Sequence, residues 1–328
     1  MKSTPKGPLA DGIELYLAHK RSLGKQLAKV GPMLHLLDGY LLAQGVAELR
    51  QVTPAHIDEF VASRPRHSPR SYNGFIGALR GLFDWMVVHE VLPESPLRCE
   101  VRRATQTRRP FLFNPDQARS LLKAAVQQPS NPRALDRGET YRMIFALLYG
   151  LGLRVGEVSR LCRKDVDFDA QLLMIRQTKF GKDRLVPFGP RMAQTMTAFL
   201  EREESRYGPI APDCPVFSFS KRKRKPVGTN TISWTFHKLL PTLHLTVPPG
   251  VAAPHLHCLR HSFAVGTLLR WYQAGVDPMS RLLDLSTFLG HVSPSSTAVY
   301  LTITTELLDC ANDRFAQFAA NSRKECVR

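Results

Sequence analysis

The 328-residue sequence lacks the features of a membrane or secreted protein. No apolar run reaches the roughly 20 residues that a membrane-spanning helix needs; IFALLYGLGL at 144–153 is among the longest and is too short. The N-terminal stretch has no apolar signal-peptide core, because Asp11 and Glu14 interrupt it. These absences predict a protein that stays in the cytoplasm.

Cysteine is scarce and is not arranged in pairs. The six cysteines include no C-x-x-C motif. In a chain of this length, that pattern favours reduced thiols over a disulfide framework or a zinc knuckle.

Acidic residues are also few relative to basic ones. The chain has 45 Lys and Arg against 28 Asp and Glu, which gives a formal net charge of +17. A basic excess of this size favours a polyanionic partner, of which nucleic acid is the most common. A basic surface kept for solubility remains the alternative.

The first hundred residues are typical of short amphipathic helices. In the stretch 8–21 we predict one apolar face formed by Leu9, Ile13, Leu15 and Tyr16. Thr53-Pro54 and Ser68-Pro69 match the preferred start of a helix, where Ser or Thr caps the first turn and Pro follows. We therefore predict an N-terminal helical domain over residues 1–101.

Two arginine-rich stretches are candidates for contact with a nucleic-acid backbone. Just before the last helix of the first domain, whose N-terminus favours phosphate, lie Arg64, Arg66 and Arg70. The segment 102–114 has no periodicity and is interpreted as a basic interdomain linker, with Arg102, Arg103, Arg108 and Arg109. A linker that is merely solvated is the alternative.

Residues 115–328 indicate a second domain that is mostly helical. Its one clear departure is the stretch 171–189, where Leu173 and Ile175 alternate with other side chains before a turn at Gly181. This alternation predicts a β-hairpin with a basic tip. The predicted fold class is therefore mainly α with a small β-hairpin or sheet (α+β).

Four stretches of this second domain present polar groups suited to phosphate chemistry. The first, LGLRVGEVSRL, places Arg154 and Glu157 three residues apart, so that a carboxylate can fix the guanidinium for bidentate contact with phosphate. A surface ion pair is the alternative.

The second stretch, QTKFGKDRLVPF, places Lys179 and Lys182 at the hairpin tip, where a lysine can donate a proton to a leaving hydroxyl or can simply be solvated.

The third stretch, PHLHCLRHSFA, combines imidazole and guanidinium groups. His257 and Arg260 have the i, i+3 spacing that lets both converge on one site from a helix. Zinc binding by His255, His257, Cys258 and His261 is the competing interpretation. We do not favour it, because Cys258 occupies the position of the glutamate found in metalloprotease motifs and no second ligand cluster follows.

The fourth stretch is LGHVSPSSTAVYL at 289–301. His291 is followed nine residues later by Tyr300, at the end of a predicted short helix over 295–300. A tyrosine can act as a covalent nucleophile when its proton is removed. A tyrosine between Val299 and Leu301 is also a common core residue.

The order of these motifs resembles the tyrosine recombinase (phage integrase) family, in particular Xer recombinases and transposon integrases. R-x-x-E, a hairpin lysine, H-x-x-R, and L-G-H followed by tyrosine all occur in sequence. The resemblance covers almost the whole chain, and it implies a helical core-binding (SAM-like) domain joined to a tyrosine-recombinase catalytic domain with a C-terminal helix. One departure is the segment PMSRLLDLSTF before LGH, which is longer than the usual family spacing.

The resemblance implies a role for each motif residue. Arg154 and Arg260 would hold the scissile phosphate, with Glu157 supporting them. Tyr300 would be the nucleophile, and Lys179 would be the general acid in preference to Lys182, because it lies five residues before Arg184 as in the family's hairpin pattern. His257 would be an acid or base near the phenol, and His291 would hydrogen-bond the phosphate or the tyrosine. No metal and no nucleotide cofactor would be required.

The implied function is site-specific DNA recombination through a 3′-phosphotyrosine intermediate, for integration, excision or resolution of a mobile element. The implied partners are a double-stranded DNA recombination site, three further copies of the chain in a homo-tetramer, and accessory or sister recombinase proteins, with the protein on the nucleoid. An apolar stripe in 304–328, formed by Leu308, Ala311, Phe315 and Phe318, would dock on a neighbouring protomer or on its own domain. A type IB topoisomerase and a non-catalytic DNA-binding accessory protein are the alternatives.

Overall fold

The computed structural model of the protein describes residues 7–25, 27–28, 30–103, 108–132, 134–176, 183–220 and 224–302, together with residues 307, 309 and 312. The chain divides into two compact units, one within residues 1–107 and the other within residues 108–328. No helix among these described residues is long and apolar enough to cross a membrane.

The first unit is helical. Its helices are α1 (Ala10–Ser22), α2 (Val30–Ala43), α3 (Pro54–Ala62) and α4 (Pro69–Val88). The predicted caps are confirmed, since the hydroxyl oxygens of Thr53 and Ser68 accept hydrogen bonds from backbone N–H groups of the first turns of α3 and α4. The helices enclose one apolar core built around Leu34, Leu79 and Phe83.

The predicted apolar face of α1 was wrong at one position. Leu15 is 59% exposed, whereas Leu17 is buried beside Ile13 and Tyr16. Each helical residue turns by about 100°, so that Leu17 lies one turn above Ile13 while Leu15 points to the opposite side.

Residues of the predicted linker attach to one unit or the other. The backbone N–H of Arg102 donates to the Asn73 side chain of the first unit at 2.7 Å. Phe111 and Phe113 are buried in the core of the second unit, and Arg109 pairs with Val251 of that unit. The domain boundaries of the sequence analysis remain a prediction.

The second unit is mostly helical around a small sheet. Its helices are α5 (Pro115–Val126), α6 (Arg137–Gly150), α7 (Val155–Arg160), α8 (Pro190–Tyr207), α9 (Thr229–Leu239), α10 (Cys258–Gln273), α11 (Leu282–Leu289) and α12 (Ser295–Ala298). Short 3-10 segments lie at Arg163–Asp165, Leu240–Leu243 and Val299–Thr302. Helix α6 is central to the main core, where Tyr141 and Phe145 are fully buried.

The described strands form one antiparallel sheet in the order β1 (Val166–Asp167), β2 (Leu172–Ile175) and β3 (Arg184–Pro187). Leu173 pairs with Val186, and both are buried while their chain neighbours are more exposed. The predicted pairing of these strands is confirmed. The hairpin tip, with Lys179 and Lys182, lies outside the described residues.

A smaller apolar cluster joins α10, α11 and the last 3-10 segment. It contains Leu268, Leu285 and Leu289, and Tyr300 packs its ring among them. Of the predicted C-terminal helix, Leu307 is buried in this cluster, whereas the four residues of the predicted stripe lie outside the described part of the chain. The cluster therefore places Tyr300 against α10 and close to the end of α11.

Candidate active site

Glu157 is the centre of a buried ion-pair network. Its carboxylate accepts hydrogen bonds from the backbone N–H of Arg154 and from the Arg154 side chain, both at 2.8 Å. Arg184 donates to both oxygens of the same carboxylate, at 2.8 and 2.9 Å. Because Glu157 is only 4% exposed, Arg154 and Glu157 are not the surface pair of the alternative interpretation.

The electrostatic consequence is a carboxylate that stays ionised. Burial alone would raise the pKa of Glu157, but the hydrogen bonds and positive charges of Arg184 and Arg154 lower it to about 2. A permanently charged Glu157 holds both guanidinium groups in fixed orientations.

Arg184 was used in the sequence analysis only as a spacing marker for Lys179, and its structural role was missed. Besides its bidentate bond to Glu157 across 27 residues of sequence, its Nε donates to the carbonyl of Phe288 at 2.9 Å. Arg184 thus joins β3, α7 and the end of α11. The alternation in KDRLVPF predicts the strand that carries Arg184. It does not indicate the hydrogen-bond partners of Arg184, which are distant in sequence.

Arg154 and Arg260 meet at the end of α11. Arg154 donates to the carbonyl of Gly290 at 2.7 Å, and Arg260 donates to the carbonyl of Leu289 at 2.6 Å. Gly290 has a left-handed φ of +67°, and a Cβ there would come within 2.9 Å of Arg184. Adjacent carbonyls at this glycine turn therefore bring the two arginines together.

Arg260 is the most deeply buried cation of the site. It is 1% exposed, a second bond runs to the carbonyl of Gly152 at 2.7 Å, and its Nε has no hydrogen-bond partner among the described residues. Burial and then the neighbouring Arg154 lower its pKa to about 9, which leaves it protonated at neutral pH. An Nε–H left without a partner beside a second guanidinium is suited to binding an anion.

His291 directly follows the glycine turn. Its backbone N–H donates to the carbonyl of Ser286, and its Nδ1 lies 2.7 Å from the hydroxyl of Thr297. Burial and then Arg260 and Arg154 lower its pKa to about 4, so the ring is neutral at neutral pH.

Tyr300 has a buried ring and an engaged hydroxyl. The residue is 3% exposed, and its ring centroid lies 6.4 Å from that of His291 in a stacked arrangement. Its hydroxyl lies 2.9 Å from Nδ1 of His261. Burial raises the pKa of Tyr300, and the charges of Arg260 and Arg154 partly oppose that rise. Tyr300 is thus a core residue, as in the alternative interpretation, and it is also the candidate nucleophile.

The histidine beside the phenol is His261, where the resemblance led us to expect His257. His257 is exposed at the N-cap of α10, and its ring lies edge-on to that of His261 with centroids 4.7 Å apart. From its sequence context, His261 was predicted only as a candidate zinc ligand. Among the described residues, no group of three or more His, Cys, Asp or Glu side chains could hold a metal ion.

The predicted DNA-contact arginines of the first unit share a different setting, because three of them lie over aromatic rings. The guanidinium of Arg64 is 4.3 Å from the Phe60 ring centroid, and Arg66 lies 5.0 Å from that of Phe75. Arg102 lies 3.8 Å from that of Tyr72. The other predicted arginines are exposed, namely Arg70 and Arg103 of the first unit and Arg108 and Arg109 of the second.

The site therefore combines two fixed guanidinium groups, neutral imidazoles and one buried phenol within a single unit. Guanidinium pairs stabilise charge on phosphoryl oxygens, and a phenol with a nearby proton acceptor can become a nucleophile. This arrangement suits covalent chemistry on a phosphodiester.

Comparison with known proteins gives a consistent result. The sequence pattern of the "Phage integrase family" matches residues 112–306. The chain is 40% identical over 220 residues to "Putative integrase/recombinase y4rB" of Sinorhizobium fredii, covering 67% of this chain and 68% of that protein. It is 34% identical over 175 residues to "Tyrosine recombinase XerA" of Thermococcus onnurineus, covering 53% of this chain and 54% of that one.

Solved structures share the fold at low sequence identity. The Tn1549 transposon integrase in complex with transposon right end DNA has a TM-score of 0.62 and 17% identity, covering 94% of this chain and 99% of that one. A lambda integrase tetramer bound to a Holliday junction has a TM-score of 0.61 and 18% identity, covering 91% of this chain and 78% of that one.

Proposed function

The chain belongs to the phage integrase family and is a tyrosine-type site-specific DNA recombinase, and from this premise we propose that its reaction takes place at Arg154, Arg260 and Tyr300. The observation that supports this most strongly is the meeting of both guanidinium groups at the Leu289–Gly290 carbonyls. The Tyr300 hydroxyl, beside His261, belongs to the same cluster.

In the proposed reaction, the phenolic oxygen of Tyr300 attacks the scissile phosphorus. The new O–P bond forms as the bond from phosphorus to the 5′ oxygen breaks, which gives a 3′-phosphotyrosine and a free 5′-hydroxyl. Arg154 and Arg260 stabilise the charge on the non-bridging oxygens, which is the role of preorganised donors in acyl and phosphoryl transfer. The Nε–H of Arg260, which has no partner among the described residues, is one available donor.

Glu157 and Arg184 act through one of the phosphate-binding arginines, Arg154. Arg184 holds the Glu157 carboxylate by two hydrogen bonds, and the same carboxylate accepts from the Arg154 side chain. The guanidinium of Arg154 is therefore oriented before DNA binds. His257, exposed at the start of α10, and His291, at the glycine turn, are proposed as further contacts to the phosphate.

Lys179 is proposed as the general acid that protonates the leaving 5′ oxygen, with Lys182 as the neighbouring DNA contact. Both lysines lie outside the described residues. The proposal rests on the sequence position of Lys179, five residues before Arg184, and on the bond that holds Arg184 to Glu157 at the site.

Rejoining is the same step in reverse with a different strand. The 5′-hydroxyl of a partner strand attacks the phosphotyrosine, so that the energy of the broken bond is conserved in the covalent intermediate. No nucleotide cofactor is required on this account, and no metal, because the arginines neutralise the phosphate.

Strand exchange between two duplexes requires four active sites, and we propose a homo-tetramer on synapsed DNA in which the first unit binds the duplex. The exposed and ring-stacked arginines of that unit supply backbone contacts. Integration, excision or resolution of a mobile element is the proposed use, with accessory DNA-binding or sister recombinase proteins as further partners.

A covalent trap tests the proposal. The substrate is a nicked suicide duplex made from inverted repeats found in the DNA that flanks the gene, incubated with the protein in EDTA. We expect a protein–DNA adduct from the wild type and none from Tyr300→Phe. An adduct that persists in Tyr300→Phe would remove Tyr300 from its role.

The same protein tested on supercoiled plasmid distinguishes recombination from relaxation. We expect cleavage that depends on the inverted repeats. Relaxation of any plasmid regardless of sequence would instead identify a type IB topoisomerase activity.

A further inference from the structure

His261 has a position that neither the motif pattern nor the proposed function assigns. It lies in the first turn of α10, immediately after Arg260, and its Nδ1 is 2.9 Å from the Tyr300 hydroxyl, 39 residues away in sequence. The ring is partly buried, and its centroid lies 5.5 Å from that of the tyrosine. The 2.9 Å distance allows a hydrogen bond to the hydroxyl oxygen of Tyr300, which must lose its proton when it attacks phosphorus.

The other imidazoles of the site are engaged elsewhere. Nδ1 of His291 pairs with the hydroxyl of Thr297 at 2.7 Å, and the His291 ring stacks parallel to the tyrosine ring. His257 meets His261 edge-on, and the described residues provide no hydrogen bond between His257 and the phenol. Geometry therefore singles out His261 among the histidines.

We propose that His261 is the general base for strand cleavage: its Nδ1 accepts the Tyr300 proton as the phenolic oxygen attacks phosphorus, and returns that proton when the strand is rejoined. The step balances, since the O–H bond of Tyr300 breaks, an N–H bond forms on His261, and the electron pair of the phenol forms the new O–P bond. The proposal rests on the proposed role of Tyr300 as nucleophile.

The surroundings keep His261 able to accept a proton. The titratable and charged groups near it are His255, His257 and Arg260 on its own segment and Tyr300 on the facing 3-10 segment, with Arg154 acting on the phenol. Burial, followed by His255 and Arg260, lowers the pKa of His261 to about 4, so the ring is neutral in free protein at neutral pH. A bound phosphate would add negative charge beside the ring and favour the protonated form in the reaction itself.

A base is needed because the phenol does not ionise readily here. Burial raises the pKa of Tyr300 from its ordinary value of 10.0. Only a small fraction is therefore phenolate at neutral pH, and a positioned imidazole that takes the proton as the O–P bond forms would lower the barrier to attack.

The role of His261 is tested by comparing His261→Asn with the wild type in single-turnover cleavage of the nicked suicide duplex. Asparagine keeps a hydrogen-bonding atom near the place of Nδ1 but is not basic. At saturating DNA we expect the cleavage rate to fall by roughly 10²- to 10³-fold, with DNA affinity little changed. We also expect the rate of the variant to rise with pH between 7 and 9, as hydroxide takes over the deprotonation.

A 5′-bridging phosphorothiolate substrate distinguishes loss of the general base, His261, from loss of the general acid, Lys179. Its sulfur leaving group needs no protonation, so a variant that lacks the general acid, Lys179→Ala, should recover activity on it. His261→Asn should not recover, because its defect lies on the attacking side. His237→Asn serves as the matched control: that exposed histidine lies on α9 with its Nδ1 2.7 Å from the carbonyl of Ser233, and the change should leave cleavage unaltered.

The outcomes are distinguishable. Cleavage by His261→Asn within about threefold of the wild type, or rescue by the phosphorothiolate, would overturn the role of His261 while leaving that of Tyr300 intact. An adduct formed by Tyr300→Phe would instead overturn the proposed function. His261→Gln provides a second variant if His261→Asn does not fold, with the same expected loss and the same lack of rescue.

Discussion

The two candidate active-site arginines of the second (catalytic) unit and two predicted DNA-contact arginines of the first (N-terminal) unit have different surroundings. Arg154 and Arg260 are fixed by carbonyl and carboxylate oxygens, and Arg260 is almost fully buried. Arg64 and Arg66 rest over aromatic rings nearer the surface. Oxygen ligands fix the direction of each N–H, whereas a ring supports the guanidinium plane; Arg64 makes one further hydrogen bond, to the hydroxyl of Ser63. The first arrangement suits chemistry at one phosphorus, and the second suits binding along a backbone.

Among the two sets of arginines, the largest expected effect comes from the buried Arg260. Arg260→Lys keeps the positive charge but removes the planar fork, and we expect adduct formation to slow by about 10²- to 10³-fold, as for loss of one preorganised donor. Gel quantitation of the adduct at saturating DNA measures this rate. A loss below tenfold, in a variant that melts like the wild type, would show that the fixed fork is not what the reaction requires.

Breaking the buried ion-pair network should strongly destabilise the catalytic unit. Glu157→Ala leaves two guanidinium groups without their shared carboxylate, and we expect a loss of about 3–5 kcal/mol in the free energy of unfolding of that unit. Urea unfolding followed by tryptophan fluorescence and circular dichroism checks it. The matched control is Asp116→Ala, which breaks an exposed pair with Arg119 and should cost less than about 1 kcal/mol. Equal losses in the two variants would contradict the account.

The pH dependence of stability should reveal the partly buried histidines of the site. The pKa values of His261 and His291 fall from 6.5 to about 4 on folding. Between these pH values the unfolded chain binds more protons than the folded chain. The contribution of these two histidines to the free energy of unfolding is therefore fully present above pH 6.5 and is lost as the pH falls towards 4. Glu157 adds a further loss below about pH 4.5, where the unfolded carboxyl is protonated first.

Melting temperatures measured between pH 7.5 and 4 test this slope. The double variant with His261→Phe and His291→Phe should show a shallower fall than the wild type. An unchanged slope would show that these rings are not kept neutral by the fold.

The smallest individual effects are expected in the N-terminal unit. Arg64→Ala or Arg66→Ala should weaken DNA binding a few-fold on any sequence, and each should reduce the salt slope of the binding constant by about 1. The cleavage rate at saturating DNA should stay unchanged. Anisotropy titrations over a range of salt concentrations measure this, with Arg50→Ala, an exposed arginine paired with Glu48, as the control. A cleavage defect at saturation would remove the distinction between the two sets of arginines.

Local patterns predicted the elements well, and distant contacts account for what they missed. The caps at Thr53 and Ser68 and the pairing of β2 with β3 depend on neighbouring residues, and both were predicted. Arg184 and His261 acquire their roles from partners 27 and 39 residues away. No periodicity in the sequence indicates such contacts.

Burial was the second property that the sequence did not reveal. From the sequence alone, the pair formed by Arg154 and Glu157 could equally have been a surface pair. In the structure, the carbonyl of Gly290 accepts from Arg154 and the side chain of Arg184 donates to Glu157, which buries the pair. The error at Leu15 was different in kind, because helical geometry alone places that residue opposite Ile13.

The central claim is that one phenolic oxygen becomes esterified to DNA. Its most direct test is to digest the trapped protein–DNA adduct with protease and nuclease, and to locate the nucleotide-bearing residue by tandem mass spectrometry. The account predicts a 3′-phosphodiester on Tyr300 alone. A nucleotide on another tyrosine, or on a serine or histidine, would contradict it.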